Sequence, residues 1–339
     1  MGKNVSRKSI AEIAGVSKTT VTRVMSGSDS VSEETREKVL SVISEYGYTQ
    51  NKLAVNVSNN KNSNFVAMFV PDMSNYYYLE VFNHMVSLFE DYDYTISVYL
   101  VTKHNFSKIL NKVLENRVSA IINLAFVPMS ESDLKKIRCA NIKVIHPGLH
   151  EDPVKISIDY LPAIREAFEG MVARGAKKFY FLCGADESFL RDNRIVSYLS
   201  LMRENGQAEP EKTVLMGEYP EISALNAGYE TVAKLLESGE KPDGLFCMND
   251  MMAIGAMRAL REAGIEIGKE AFVVGFDNIL LGQYSATSLG TIDSFIEKEA
   301  RQYVDYVLGR PGGTKSIVSR YIPRASAGTP PAEDNPRQS

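Results

Sequence analysis

Residues 10–31 read IAEIAGVSKTTVTRVMSGSDSV, and the spacing of their apolar side chains decides what the N-terminal part of this chain is. Ile10, Ile13 and Ala14 fall at i, i+3, i+4, the core-facing stripe of a short helix. Gly15 supplies the left-handed turn that ends it, Val16 fills the corner, and Ser17 is placed to cap a second helix. There Val21, Val24 and Met25 repeat the spacing, which leaves Lys18, Thr19, Thr22 and Arg23 outward. A short helix, a glycine turn and a second helix with a basic, hydroxyl-rich face make a helix-turn-helix, whose second helix enters the DNA major groove. An ordinary helical hairpin would share the glycine and the N-cap, so the turn alone does not separate the two readings. The outward face weighs toward DNA.

A third helix is expected from Ser32, its N-cap, to about Tyr46. Glu33 and Glu34 suit its positive end, Val39, Val42, Ile43 and Tyr46 form its stripe, and Gly47 stops it. From Thr49 to Asn64 the chain turns polar, which marks a linker. The expected organisation is therefore a helix-turn-helix head over 1–50, a linker over 51–63, and a body from residue 64.

The net charge of −4 is unevenly placed. Residues 3–26 carry Lys3, Arg7, Lys8, Lys18 and Arg23 against Glu12 alone, while the chain beyond residue 60 is acidic. Positive charge is local to where phosphate contact needs it, and an acidic body suppresses unspecific adhesion to nucleic acid. With 339 residues the chain has room for two or three packing units. It has no apolar run of membrane-spanning length, and MGKNVSRKSI lacks the apolar core of a signal peptide. Cys139, Cys183 and Cys247 have no metal-type spacing and read as free thiols. The expectation is a cytoplasmic protein with no membrane partner.

After residue 64 strand-like runs (Phe65–Val70, Thr95–Val101, Ala120–Leu124, Lys143–His146) alternate with helical patterns near Asn75–Glu90 and Phe106–Asn116. The alternation resumes with helices near Tyr160–Arg174, Ser188–Asn205, Ser223–Glu237 and Asp250–Ala263, and strands Phe179–Leu182, Leu245–Cys247 and Phe272–Gly275. This is an α/β pattern of parallel sheets flanked by helices, long enough for two similar lobes. Ligands of such sheets bind at the carboxyl ends of the strands. The tail Ser326–Ser339, with three prolines and no large apolar residue, reads as disordered, and it carries no leucine heptads for further assembly.

These residues resemble the lac/gal repressor family of bacterial transcription regulators. The resemblance is carried by AEIAGVSKTTVTRVMSG, VSEETREKVL and EYGY in the head, then by VPDMSNYYY, GLFCMNDMMAIGAMRALREAGI, VVGFDN and IPRAS in order along the body. It implies a homodimer on a near-palindromic double-stranded operator, and a two-lobed, periplasmic-binding-protein-like body holding a small effector between its lobes. It places lobe 1 at about 64–159 and 289–325, and lobe 2 at about 160–288. Carried over by position, Lys18, Thr19 and Arg23 read base edges, with Arg23 on a guanine. Ser6, Ser17, Thr20, Thr22, Ser26, Ser30 and Ser32 match positions that hold phosphates or orient the head, although turn and capping chemistry explains such residues equally well. Asn51, Leu53, Ala54 and Val57 match the family's hinge helix, with Val57 at the minor-groove wedge where a leucine is usual and Val55 where an arginine is common.

By the same resemblance Tyr77, Tyr78, Asn123, Arg194, Asn249 and Asp277 line the effector cleft, with Arg191 competing for the register of Arg194. Their chemistry suits a sugar or another polyhydroxylated metabolite: a planar donor fork, an acceptor carboxylate, two amides and aromatic faces. Gly148, Ser294 and Ser119-Ala120 depart from residues frequent in sugar-responsive members. The main rival is an α/β enzyme, or a solute-binding body, acting on a small hydroxylated ligand. It finds little support, since the phosphate-loop-like stretch 264–270 is one residue short and lacks the Ser or Thr, and neither a dinucleotide fingerprint nor a nucleophile elbow occurs. His146 and His150 beside Glu151 and Asp152 read as a solvated loop rather than a metal site. The expectation is a regulator and not an enzyme, with no cofactor and no metal.

Overall fold

The computed structural model describes residues 6–48, 62–125, 127–146, 154, 156–185, 190–220, 222–310 and 315–329. Contacts divide the chain into two units, Met1–Ser63 and Asn64–Ser339. The matched hinge residues Asn51, Leu53, Ala54, Val55 and Val57 lie outside the described residues, as do Gly148, His150, Glu151 and Asp152.

The first unit holds α1 (Arg7–Ala14), α2 (Lys18–Met25) and α3 (Glu33–Glu45). Gly15 ends α1 at φ +65°, where a side chain is strained and glycine is not, and its amide closes back on Ala11 and Glu12. The core of the head is Ile10, Ala11, Ala14, Val21, Val24, Val39 and Val42. Two expected core residues lie outside it: Ile13 is 46% exposed and Tyr46 is 44% exposed. At 100° per residue Ala14 and Ala11 lie on one side of Ile10 and Ile13 on the other, and the small alanines let α1 pack closely on that side. Tyr46 is the residue after the last helical turn, so α3 no longer directs it inward.

Among the described residues the second unit contains three sheets. The first is β2-β1-β3-β4, built from β1 (Phe65–Val70), β2 (Thr95–Leu100), β3 (Ala120–Asn123) and β4 (Lys143–Ile145), all parallel. Both of its faces are covered, as a parallel sheet requires. Val66, Met68 and Val70 face α4 (Tyr76–Phe89) and a helix from much later in the chain, Ile296–Val307. Ala67 and Phe69 face α5 (Phe106–Glu115) and α6 (Glu131–Cys139).

The second sheet follows the crossing strand β5 (Ile156–Asp159) and helix α7 (Leu161–Ala173). Its strands are β6 (Phe179–Cys183), β7 (Val214–Met216), β8 (Gly244–Cys247), β9 (Phe272–Phe276), β10 (Gly290–Asp293) and β12 (Arg320–Ile322), in the order β12-β10-β9-β8-β6-β7. Only β12 runs antiparallel. Helices α8 (Asn193–Glu204), α9 (Ala224–Glu237), α10 (Asp250–Glu262) and the short α11 (Leu280–Gln283) belong to this lobe, and α12 (Ile296–Val307) returns to the first. The remaining strand, β11 (Lys315–Val318), pairs with β5 as a separate parallel ladder. A Cβ on Gly255 of α10 would lie 1.9 Å from the Leu225 carbonyl oxygen, and one on Gly228 of α9 would lie 2.0 Å from that of Met252. The two glycines let these helices touch backbone to backbone.

Two expectations change here. Residues 289–325 do not all belong to the first lobe: β10 pairs with β9, β12 pairs with β10, and Leu289 and Ile292 sit in the second lobe's core. β10, buried along its whole length, adds to the edge of β9, and the chain returns to the first lobe with α12. The start of the expected disordered tail is also placed. The Ser326 hydroxyl donates to the Val273 carbonyl at 2.6 Å and accepts from the Gly290 amide at 2.9 Å, and Ala327 is buried in the core. Small side chains are what this position needs, because Gly290 and Ala327 approach too closely for anything larger. Residues 330–339 lie outside the described residues.

Candidate functional site

On the head, Lys18, Thr19, Thr22 and Arg23 are exposed on α2. Among the described residues the side chains of Lys18, Thr19 and Arg23 make no hydrogen bond or ion pair. The hydroxyls around them are locally engaged. Ser6 caps α1 by accepting from the Ser9 amide at 3.2 Å, and Ser17 caps α2 by accepting from the Thr20 amide at 3.0 Å. The Ser17 and Thr20 hydroxyls meet at 2.8 Å. Thr22 donates to the Lys18 carbonyl at 3.0 Å, and Ser26 donates to that of Arg23 at 3.1 Å. Ser30 and Ser32 pair with the hydroxyls of Ser28 and Thr35. The turn and capping roles are thus occupied, while the basic groups stand free beside them. Such a surface offers donors to phosphates and base edges without first breaking internal contacts.

In the body, the carboxyl ends of β1, β6, β8, β9 and β10 surround a cavity of about 380 Å³. Five of the six expected cleft residues line it: Tyr77, Tyr78, Arg194, Asn249 and Asp277. Asn123 does not. It is fully buried at the end of β3, where its amide nitrogen donates to the Val127 carbonyl at 2.9 Å and lies 3.3 Å from His146 Nδ1. Burial pushes His146 down to about 4, so a neutral ring accepts that second proton. Asn123 therefore braces the strand ends behind the cavity.

The turn after β1 presents Asn75, Tyr77 and Tyr78. Asp72 Oδ1 accepts from the Ser74 and Asn75 amides at 2.7 and 3.0 Å, and Asn75 caps α4. From the other lobe, Arg194 is gripped by Asp192, with Nε and Nη2 donating to its two oxygens at 2.8 and 2.7 Å, while Nη1 donates to the Met248 carbonyl at 2.7 Å. Burial works to raise the Asp192 carboxyl, but the guanidinium outweighs it and the carboxyl is lowered. Arg194 is the inserted arginine and Arg191 is the more exposed one at the wall. Asn249 caps α10 by accepting from the Met252 amide at 2.8 Å, which leaves its amide nitrogen for the cavity.

Asp277 and Asn278 follow β9 at φ 104° and 58°, an arrangement that costs about 1–3 kcal/mol in non-glycine residues. It is held in place from behind. Asp277's amide donates to the Ile292 carbonyl at 3.0 Å, and Arg324 donates to Asn278 Oδ1 at 2.7 Å and to the Leu289 carbonyl at 2.7 Å. The IPRAS segment is thus a strut beneath the VVGFDN turn. Asp277 is 6% exposed, its carboxylate has no hydrogen-bond or ion-pair partner among the described residues, and burial raises it well above the usual carboxylate range against the pull of Arg194.

Several lining residues escaped the sequence reading: Tyr160, Asp192, Tyr219, Glu299 and Tyr303. Ser294, read there as a departure, is buried with its hydroxyl unpartnered among the described residues. Glu299 accepts from Tyr77 at 2.9 Å and from Tyr303, whose i, i+4 spacing on α12 was a visible signal. The lobes also touch directly, through the Tyr78 and Tyr219 phenols at 3.0 Å and the Leu280 amide donating to Glu80 at 3.0 Å. Among the described residues no helix is long and apolar enough to cross a membrane.

Two family profiles match the chain: bacterial regulatory proteins of the lacI family over residues 8–51, and a periplasmic binding protein-like domain over 168–327. The HTH-type transcriptional regulator AscG of Escherichia coli K12 is 30% identical over 291 residues, covering 84% of this chain and 85% of its own. Catabolite control protein A of Priestia megaterium is 28% identical over 285 residues, covering 82% and 84%. The fold matches the crystal structure of the lac repressor dimer bound to operator and the anti-inducer ONPF, with a TM-score of 0.77, 23% identity, and coverage of 96% of this chain and 99% of that one. An exposed basic helix in a helix-turn-helix, a cavity between two parallel-sheet lobes and these relatives agree: the chain belongs to the lacI family of bacterial regulatory proteins.

Proposed function

We propose that this DNA-binding transcriptional regulator is a repressor whose operator affinity changes when a small polyhydroxylated metabolite, a sugar or a close derivative, occupies the cavity between its lobes. It works in the cytoplasm as a homodimer on a near-palindromic operator, with residues 51–63 as the hinge between head and body. Lys18, Thr19 and Arg23 read base edges, and the neighbouring serines and threonines position the helix against phosphates. The observation that carries the ligand reading is the buried, unsatisfied Ser294 hydroxyl beside the Asp277 carboxylate, which is 6% exposed and has no hydrogen-bond or ion-pair partner among the described residues. Buried polar groups are ordinarily paired, so these mark where ligand hydroxyls belong. Arg194 and Asn249 add donors, and the tyrosines add apolar faces. The neighbouring lac repressor structure holds both operator and a small ligand, which supports the coupling of the two sites.

Occupancy changes DNA affinity only through unequal affinity for two body conformations. Fluorescence anisotropy tests the whole: a near-palindromic duplex selected from random sequence is titrated with protein, with and without a panel of sugars. One sugar should shift the curve, and Arg23→Ala should weaken binding and relax one position per half-site. Failure to select any duplex, or indifference to Arg23→Ala, removes the base-reading assignment.

A further inference from the structure

The charges around the cavity do not balance. Arg194 is held in a two-point grip by Asp192, and the other arginine of that wall, Arg191, is exposed. Asp277 and Glu299 are a further two acids, each more than nine-tenths buried. Among the described residues the Glu299 carboxyl accepts hydrogen bonds from the Tyr77 and Tyr303 phenols, which are neutral donors, and burial raises it against them and against the pull of Arg194. Asp277 has no hydrogen-bond or ion-pair partner among the described residues, and the arginine that pulls on it, Arg194, is already engaged by Asp192. The walls include the rings of Tyr77, Tyr78, Tyr160, Tyr219 and Tyr303, and tyrosine faces attract cations.

We infer that the molecule taken by this cavity carries a protonated amine beside its hydroxyls, and that the amine is seated on Asp277. This rests on the polyol reading above and narrows it to amino-polyols, with anionic sugars disfavoured. A carboxylate or phosphate on the ligand would enter beside two buried acids and find Arg194 already engaged. A neutral polyol satisfies hydrogen bonding at Asp277 but supplies no counter-charge to its carboxylate form. An ammonium does both. Desolvation, reinforced by Asp250, Glu299 and Glu80 and opposed by Arg194, favours the protonated Asp277 carboxyl in the empty site. An ammonium seated there opposes that shift and lowers the carboxyl again, so binding is linked to proton release.

Isothermal titration calorimetry of the full-length protein tests this. The probes are glucosamine, galactosamine and mannosamine, each with its hydroxyl parent and its N-acetyl form, and putrescine as an amine without hydroxyls. The expected result is one amino sugar binding at least tenfold more tightly than both of its counterparts, with proton release when buffers of different ionisation enthalpy are compared. Asp277→Asn should abolish that preference; asparagine tolerates positive φ, so the turn is kept. Glu299→Gln, which retains an acceptor for the phenols, should weaken the preference less, and thermal melts of both variants report folding. If a parent or N-acetyl sugar binds as tightly as the amine, the polyol reading stands and the amine assignment is overturned. If only putrescine binds, the ammonium site stands and the polyol reading falls. If no probe binds, both fall.

Discussion

The head and the cavity do their work with opposite economies of sequence distance. In α1–α3 the outward groups proposed to read DNA come from one stretch of six residues, Lys18–Arg23, and the serines beside them bond three residues along the chain. In the body, Tyr77 reaches Glu299 across 222 positions, Tyr78 reaches Tyr219 across 141, and Arg194 reaches the Met248 carbonyl across 54. The basic groups of α2 are exposed and unpaired among the described residues; the cavity's groups are buried and largely committed to one another. Local helix periodicity is enough to build the first. The second exists only once two sheets have closed around it, so its weak points are buried charges and close backbone contacts.

The largest effect is expected from a buried charge. Burial pushes the Asp250 carboxyl up to about 7, against the hydrogen bonds from the Thr291 hydroxyl at 2.6 Å and the Ile279 amide at 2.9 Å. The folded protein therefore holds a proton that the unfolded chain gives up near pH 4. This group's contribution is present below that range and is lost as pH rises toward 7, by about 4 kcal/mol at 1.36 kcal/mol per pH unit. Asp250→Asn keeps an acceptor for Ile279 and cannot ionise. Denaturant melts from pH 4.5 to 7.5 should show it gaining on the wild type as pH rises; parallel profiles would refute the buried-charge account.

Next comes packing. Gly255→Val places atoms where the Leu225 carbonyl lies and should cost about 3 kcal/mol or more, read as a lowered body melting transition. A head transition unchanged in the same melt would sharpen the contrast between the units. Arg23→Ala should leave stability alone and lose roughly 1–3 kcal/mol of discrimination at one base pair per half-site, measured by anisotropy on mutated duplexes. Smallest is Ser17→Ala, which removes the α2 cap and should cost about 1 kcal/mol of head stability. A larger loss in operator binding than in head stability would show that Ser17 also touches DNA.

Legibility followed the same divide. The helix boundaries of the head, the glycine turn and the outward basic face were readable because each depends on neighbours within one or two turns. Ile13 was misplaced because its burial depends on which side of α1 the other helices occupy. In the body, repeated strand and helix patterns announced parallel sheets, yet the lobe bounds implied by the resemblance put β10 in the first lobe, since its four residues, Gly290–Asp293, carry no local signal of the edge they join. Ser326 and Ala327 looked like tail by composition and proved to be packing, because smallness was the requirement. Asn123 matched a lining position but is consumed by Val127 and His146, while Asp192 and Glu299 escaped notice until their partners arrived from elsewhere.

The sequence by itself determined that this chain carries a helix-turn-helix with Lys18, Thr19 and Arg23 outward and an α/β body behind it, because periodicity, caps and glycine turns act over a few residues. The tertiary structure alone decided which acids face the cavity, which arginine is neutralised and which groups are left unsatisfied. Those are properties of desolvation and charge proximity, and both arise only when distant segments are brought together and water is excluded.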